Sequence, residues 1–197
     1  MTLILASTSR YRAALLARLG VPFEVAAPGV EEAAQDGEPA DTIAKRLARE
    51  KALAVSARFP DAVVIGSDQV AICAARLLGK PGTAEAALAQ LQHQRGQITE
   101  FFTAVCFARG PEVLWEDTVT TRVRWREASE LTNAVLARYV EIEKPLDCAG
   151  AAKSEGLGLA LVARIDSDDP TALIGLPLIS CQSALTRLGL SPLHLRA

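Results

Sequence analysis

Four apolar residues, Leu3–Ala6, open the chain and stop at Ser7-Thr8-Ser9, the pattern of a short buried strand running into a turn. Leu15, Leu16 and Leu19 then fall at helical spacing, and Gly20 closes a helix predicted over Arg10–Leu19. Phe23–Ala26 suits a second strand. Asp41 is placed to cap a long helix reaching Arg58, with Pro60 closing it. The run Ala62–Ile65 starts another buried strand and leads into Gly66-Ser67-Asp68-Gln69-Val70. Thr83 caps a helix over Ala84–His93.

Two strand-like runs follow, Thr99–Ala108 and Val113–Trp125. In the second, Val113, Trp115, Val119, Val123 and Trp125 share one face, while Arg122, Arg124 and Arg126 share the other. Ser129 caps a helix to Val140, with Leu131, Val135 and Tyr139 on one side. Pro145–Gly158 reads as a polar loop and Leu159–Arg164 as a strand. Pro177 stands in the first turn of a last helix that ends at Gly189. Helices interleave with strands, and some strands are consecutive. That order predicts an α/β protein with a mixed β-sheet and flanking helices. No repeat or linker divides it, so residues 1–197 read as one domain.

At 197 residues, 50% of them apolar and 22% charged, the chain has the makeup of a globular domain and not of a disordered one. A net charge of −2 excludes a general nucleic-acid binder, which needs a basic excess. The apolar run at the start is too short for a signal peptide, and no stretch is long enough to span a membrane. Cys73, Cys106, Cys148 and Cys181 are scattered without a CxxC pair, so free thiols in a cytoplasmic protein are expected. The two histidines, His93 and His194, offer no basis for a zinc site or a Ser-His-Asp triad.

Candidate chemistry lies where strands hand over to helices. Ser7, Thr8, Ser9, Arg10 and Arg12 surround a helix start, which either cradles a phosphate or is an ordinary hydroxyl cap. Asp68 follows a buried strand and is a metal ligand, a general base or a turn residue. Lys51 falls on the apolar face of its helix with Ile43 and Leu47; it snorkels to water or points inward to an anion. Lys80 sits in the rigid turn Gly79-Lys80-Pro81. Glu31-Glu32 and Ser154-Glu155-Gly156 are loop acids that, alone, read as solvated. The Arg122/Arg124/Arg126 row reads as a solvated face and Cys148 as a packed thiol. Hydroxyls, Arg12, Lys51, Lys80, Glu32 and Asp68 together suit a nucleoside polyphosphate with a divalent ion between phosphate and carboxylates.

At these residues the sequence resembles the Maf-like nucleoside triphosphate pyrophosphatases. The matching pieces are Leu5-Ala6-Ser7-Thr8-Ser9, Glu31-Glu32, Leu47-Ala48-Arg49-Glu50-Lys51-Ala52, Gly66-Ser67-Asp68-Gln69-Val70, Gly79-Lys80-Pro81, Cys148-Ala149-Gly150, Lys153-Ser154-Glu155-Gly156 and Gly175-Leu176-Pro177-Leu178. They occur in order along nearly the whole chain. The resemblance implies a Maf/ITPase-like fold with two lobes around a cleft, often as a homodimer. It implies cleavage of a nucleoside triphosphate to monophosphate and pyrophosphate with a divalent metal, Mg²⁺ or Mn²⁺; the net charge and the lack of a long apolar stretch lead to the expectation of no nucleic-acid polymer or membrane as partner.

By the same resemblance Asp68 is the proton acceptor, and Tyr11, Gln69 and Glu155 choose the base. The charges and hydroxyls themselves then place Glu32 with Asp68 on the metal, and Ser7, Ser9, Arg12, Lys51 and Lys80 on the phosphates. The Ser-Asp-Gln and Lys-Ser-Glu-Gly forms are similar to the branch that prefers 7-methyl-GTP. A cationic methylated guanine suits the ring face of Tyr11 and a hydrogen-bond-accepting Glu155. The sequence departs from the family's usual pattern at Arg10, where Pro is common, at Ala13, where Arg is, and at Ala104, where Gly is. The rival reading is a nucleotide-binding regulator of cell division, in which hydrolysis is incidental or absent.

Overall fold

The computed structural model describes residues 2–193; His194, one of the two histidines weighed above, lies outside them. Seven strands form one mixed sheet: β1 (Leu3–Ala6), β2 (Glu24–Ala26), β3 (Val63–Cys73), β4 (Arg76–Leu78), β5 (Ile98–Arg109), β6 (Glu112–Trp125) and β7 (Val162–Asp166). Their order is β2-β1-β3-β5-β6-β7, with β4 on β3. Strand β1 pairs parallel with β2 and β3, whereas β3/β4 and β6/β7 are antiparallel. The helices are α1 (Arg10–Ala17), α2 (Ala40–Ser56), α3 (Ala84–Gln94), α4 (Asn133–Glu143) and α5 (Leu178–Arg187). The residues gather into two compact units.

The first unit takes the chain up to Gln69, Thr103–Val119, and the chain from Asp169 on. Alternate residues of its parallel strands feed two cores. Leu3, Leu5, Val63 and Ile65 pack with Leu15 and Leu16 of α1 and with Leu178, Cys181 and Leu185 of α5. Ile4, Ala6 and Val64 pack on the opposite face with Val55 of α2. Covered on both faces, these strands have no reason to alternate in polarity, and hence they read as unbroken apolar runs. Arg49 of α2 makes a bidentate pair with Glu116 of β6.

The second unit takes Val70–Phe102 and Thr120–Asp168. It buries Leu91, Phe101, Val123, Trp125, Leu131, Leu136 and Tyr139. A chain of polar groups runs through it: the Trp125 indole donates to Thr99 Oγ1, Thr99 donates to Gln94 Oε1, and Gln94 Nε2 donates to the Gly150 carbonyl. Arg122 and Arg124 are exposed, and Arg122 pairs with Glu100 at 2.9 Å, the solvated face expected for this row.

Several boundaries differ from the sequence expectation. Pro39, not Asp41, is the N-cap residue of α2; Asp41 lies inside the first turn and pairs with Lys45 at 2.8 Å, where a carboxylate favours the helix dipole. Thr132, not Ser129, caps α4 by accepting from the Val135 N–H. Residues 157–161 form a 3₁₀ turn, and β7 starts only at Val162. Strand β4 was not expected. It forms a hairpin on β3 through Ala74 and Ala75, both at positive φ, a conformation that turn sequences normally announce with Gly or Asn. Strand β3 continues through Gly66-Ser67-Asp68-Gln69, so Asp68 stands inside a strand and not beyond its end.

Candidate active site

The first unit gathers most of the sequence-predicted residues. Helix α2 crosses β3 at Gly66, where a Cβ would lie 2.5 Å from the Ala52 nitrogen and 2.9 Å from its Cβ, and would also collide with the Ala48 carbonyl. The missing side chain lets the helix backbone lie directly on the strand. Asp68, two residues on, shares the face of Gly66. Lys51, between Ala48 and Ala52 on the helix, therefore meets it: Nζ is 2.6 Å from Asp68 Oδ1 and 2.5 Å from Glu32 Oε1. The Lys51 side chain is 2% exposed and that of Asp68 8%, while Glu32 is half-exposed. The inward reading of Lys51 holds, and the anion it reaches is a pair of carboxylates.

Arg12 joins this cluster from α1. Burial holds its guanidinium below the ordinary arginine range, and the negative charges of Asp68 and then Glu32 pull it back up. Its Nε donates to the Gly175 carbonyl at 2.9 Å, which fixes the side chain's base. Ser67, on the face of β3 opposite Asp68, donates to the same carbonyl at 3.1 Å. At the helix start, Ser7 Oγ accepts from the Ser9 N–H, and Ser9 Oγ accepts from the Arg12 N–H as the N-cap. Both hydroxyls act there as acceptors, so the proton of each remains a donor for an oxyanion.

The two base-reading candidates of this unit are partly engaged. The Gln69 amide nitrogen donates to Thr103 Oγ1 at 3.0 Å and to the Ala172 and Leu173 carbonyls at 2.9 and 3.1 Å. Its two N–H groups are thereby committed, and its oxygen is the end suited to meet a ligand. Arg10 donates to the Tyr11 hydroxyl at 2.8 Å and lies 4.9 Å over the Tyr11 ring. One face of that ring thus already carries a cation, supplied by the residue that stands where the resemblance leads one to expect Pro.

Lys80 and Glu155 belong to the second unit, and both are exposed. The turn carrying Lys80 is held by the Gly79 carbonyl, which accepts from Gln90 Nε2 and from the Gly150 N–H. Gly150 belongs to the Cys148-Ala149-Gly150 piece, so two of the recognised motifs brace each other. The Glu155 loop wraps around Glu143 of α4. Glu143 pairs with Lys153 at 2.5 Å and accepts from the Leu157 N–H at 2.7 Å; these contacts hold its carboxyl below the usual range. Gly156 passes so close that a Cβ would sit 2.5 Å from Glu143 Oε1. Glu143 escaped the sequence reading because nothing in an ordinary helical Glu marks it as a loop anchor.

A hard divalent ion needs oxygen donors, and Mg²⁺ commonly takes one or two carboxylates with the remainder from water and phosphate. Glu32 and Asp68, converging on a single ammonium, fit that mode. Among the described residues there is no cluster of three or more His, Cys, Asp or Glu able to hold a metal. His93, by contrast, is bound to the Cys73 carbonyl at 3.1 Å in the second unit.

Residues 2–188 match the family model described as Maf-like protein. The chain belongs to the Maf-like protein family. This Maf-like protein is 52% identical over 190 residues to the 7-methyl-GTP pyrophosphatase of Aromatoleum aromaticum, covering 95% of this chain and 96% of the relative. It is 54% identical over 191 residues to the protein of the same name in Burkholderia lata, covering 94% of this chain and 87% of the relative. Among solved structures it is similar to the Staphylococcus aureus Ham1 protein, at a TM-score of 0.42 and 14% identity, over 64% of this chain and 71% of that one. No helix among the described residues of this Maf-like protein is long and apolar enough to cross a membrane.

Proposed function

We propose that this Maf-like protein is a 7-methyl-GTP pyrophosphatase, converting 7-methyl-GTP and water to 7-methyl-GMP and pyrophosphate. The observation that carries the reading is the buried Lys51 held between Asp68 and Glu32, with Arg12 in the same electrostatic cluster. Such a site offers cations to a polyphosphate and a carboxylate to a water molecule. The name borne by relatives half identical over nearly their whole length supplies the substrate.

Asp68 accepts a proton from the attacking water as its oxygen bonds to the α-phosphorus and the bond to the bridging oxygen breaks, releasing pyrophosphate. The ammonium of Lys51, 2.6 Å from Asp68 Oδ1, fixes the position of that carboxylate for the task. Arg12, Lys51 and Lys80 and the hydroxyls of Ser7 and Ser9 take phosphate oxygens and offset the charge that builds on the leaving group. Glu32 and Asp68 would hold a Mg²⁺ or Mn²⁺ ion, which when bound neutralises phosphate charge and makes water more acidic. Tyr11, Gln69 and Glu155 read the base, Gln69 through its amide oxygen. The protein acts in the cytoplasm as a single Maf-like domain over 1–197, on a free nucleotide.

The test is a panel of canonical and N7-methylated triphosphates with Mg²⁺ or Mn²⁺, scored by product. Pyrophosphate and monophosphate in equal amounts, with 7-methyl-GTP the best substrate, is the expected result. Successive release of orthophosphate, or no cleavage of any triphosphate, refutes it.

A further inference from the structure

The segment 169–179 carries an internal polar clamp that none of the candidate roles above uses. Asp169 is 1% exposed and lies in the first unit with α5. Its Oδ1 accepts from the Thr171 N–H at 2.8 Å and from the Thr171 hydroxyl at 2.6 Å, and its Oδ2 accepts from the Ile179 N–H at 2.7 Å. Thr171 Oγ1 in turn accepts from the Leu178 N–H at 2.9 Å. Leu178 and Ile179 open α5, whose N-cap residue, Pro177, makes no side-chain cap. Helix starts leave such N–H groups unpaired. Here the orphan donors are satisfied from seven and ten residues upstream, so the two ends of the segment are locked together.

Between those ends lie the carbonyls that hold the candidate site. Ala172 and Leu173 accept from Gln69, Ala172 also accepts from Thr103, and Gly175 accepts from Arg12 and Ser67. Gly175 reaches this orientation at φ 124°, a backbone region open to glycine and not to other residues. We infer that Asp169 and Thr171 are positioning residues: through this clamp they set the carbonyls that orient Arg12 toward phosphate and Gln69 toward the base. Neither need touch substrate. The sequence held a signal for the turn, Asp169-Pro170, but none for its tie to Arg12 and Gln69.

The proposal leans on the 7-methyl-GTP reading only in its activity arm. Thr171→Val keeps the shape and deletes the hydroxyl, Thr171→Ser keeps the hydroxyl, and Asp169→Asn removes one acceptor. In the free protein, exchange of the Arg12 Nε–H and of the Gln69 side-chain amide is followed by NMR. The Trp125 indole N–H, bonded to Thr99 in the second unit, is the internal reference. Valine and asparagine variants are expected to lose at least about tenfold protection at Arg12 and Gln69 with Trp125 unchanged, and serine to restore it. With substrate, kcat/KM is expected to fall roughly 10- to 100-fold, as for groups displaced by a fraction of an ångström, while the serine variant stays near wild type. If Thr171→Val does not fold, Asp169→Asn decides. Wild-type protection and wild-type kcat/KM in a folded variant overturn the proposal. So does a loss of protection shared equally by Trp125, which marks a purely structural role. Should the wild-type protein cleave no 7-methyl-GTP, the functional reading fails, and the exchange arm still decides this one.

Discussion

Lys51 Nζ sits 2.6 Å from Asp68 Oδ1 with both side chains almost wholly enclosed, and the same ammonium also holds Glu32. Removing one partner of a buried pair leaves a charge with neither water nor counter-ion, at a cost of about 3–5 kcal/mol. Lys51→Met takes the ammonium from the buried Asp68 carboxylate, while half-exposed Glu32 keeps its water and Arg12 still offsets part of the charge, so the loss is expected to stay below that full cost and to lower Tm by several degrees. Asp68→Asn leaves Lys51 with Glu32, so it should lose less stability while turnover falls about 10²-fold or more, as for a missing general base. Thermal melts and kcat on both variants check the contrast. A Lys51→Met protein as stable as wild type would sink it.

Gly66 sets the distance at which this pair meets. In Gly66→Ala the new methyl group meets the α2 backbone at Ala48 and Ala52, which has no flexible end to swing aside. The helix must lift. Overpacking of this kind costs about 1–3 kcal/mol. Because Lys51 rides on the helix that lifts, activity should drop at temperatures where the variant is fully folded. A variant with lowered Tm but unchanged kcat would show that α2 returns Lys51 to Asp68 regardless.

The Glu155 loop should respond to pH through Glu143. In the folded protein the Leu157 N–H and then Lys153 depress the Glu143 pKa. A depressed carboxylate contributes stability above its unfolded pKa and loses it as pH falls through the folded value. Protection of the Leu157 amide is therefore expected to be constant near neutrality and to decay below the ordinary carboxylate range. In Glu143→Gln it should be weak at all pH values and no longer show that decay. Hydrogen exchange across pH measures both.

Tyr11 and Glu155 carry opposite expectations for a methylated, cationic base. Arg10 occupies one face of the Tyr11 ring, so Arg10→Ala frees it. An exposed cation–π contact is worth about 0.5–1 kcal/mol, and KM for 7-methyl-GTP should fall about two- to fivefold with GTP unaffected. Glu155→Gln removes a charged acceptor and should cost roughly tenfold in kcat/KM for 7-methyl-GTP and less for GTP. Equal changes for both nucleotides, in either variant, would mean that the residue does not sense the charge on the base.

Apolar runs at β1 and β3 and helical spacing along α1 and α2 are legible in the sequence, because burial on both faces of a parallel strand and 3.6-residue periodicity are local properties. So are the recognition motifs, which lie intact in the chain. Caps were less legible: Asp41 and Ser129 are good capping types, but Pro39 and Thr132 lie where the backbone turns into the helix. The Ala74-Ala75 hairpin turn carried no signal at all, since its positive φ is imposed by the pairing of β3 with β4 and not by the residues in it.

The sequence by itself determined the α/β order, the unbroken strands and the presence of Lys51, Asp68, Glu32 and Arg12 as a set of charges seeking a ligand. Only the tertiary structure decided which charge faces which. Lys51 meets Asp68 because a side-chain-free Gly66 lets a helix rest on a strand 17 residues later in the chain. Arg12 is held by a carbonyl 163 residues away, on a segment closed by Asp169 and Thr171. Periodicity and propensity act over a few residues, whereas the energy of a buried charge depends on what packing brings within about 3 Å of it, and that distance is written in no local stretch of the chain.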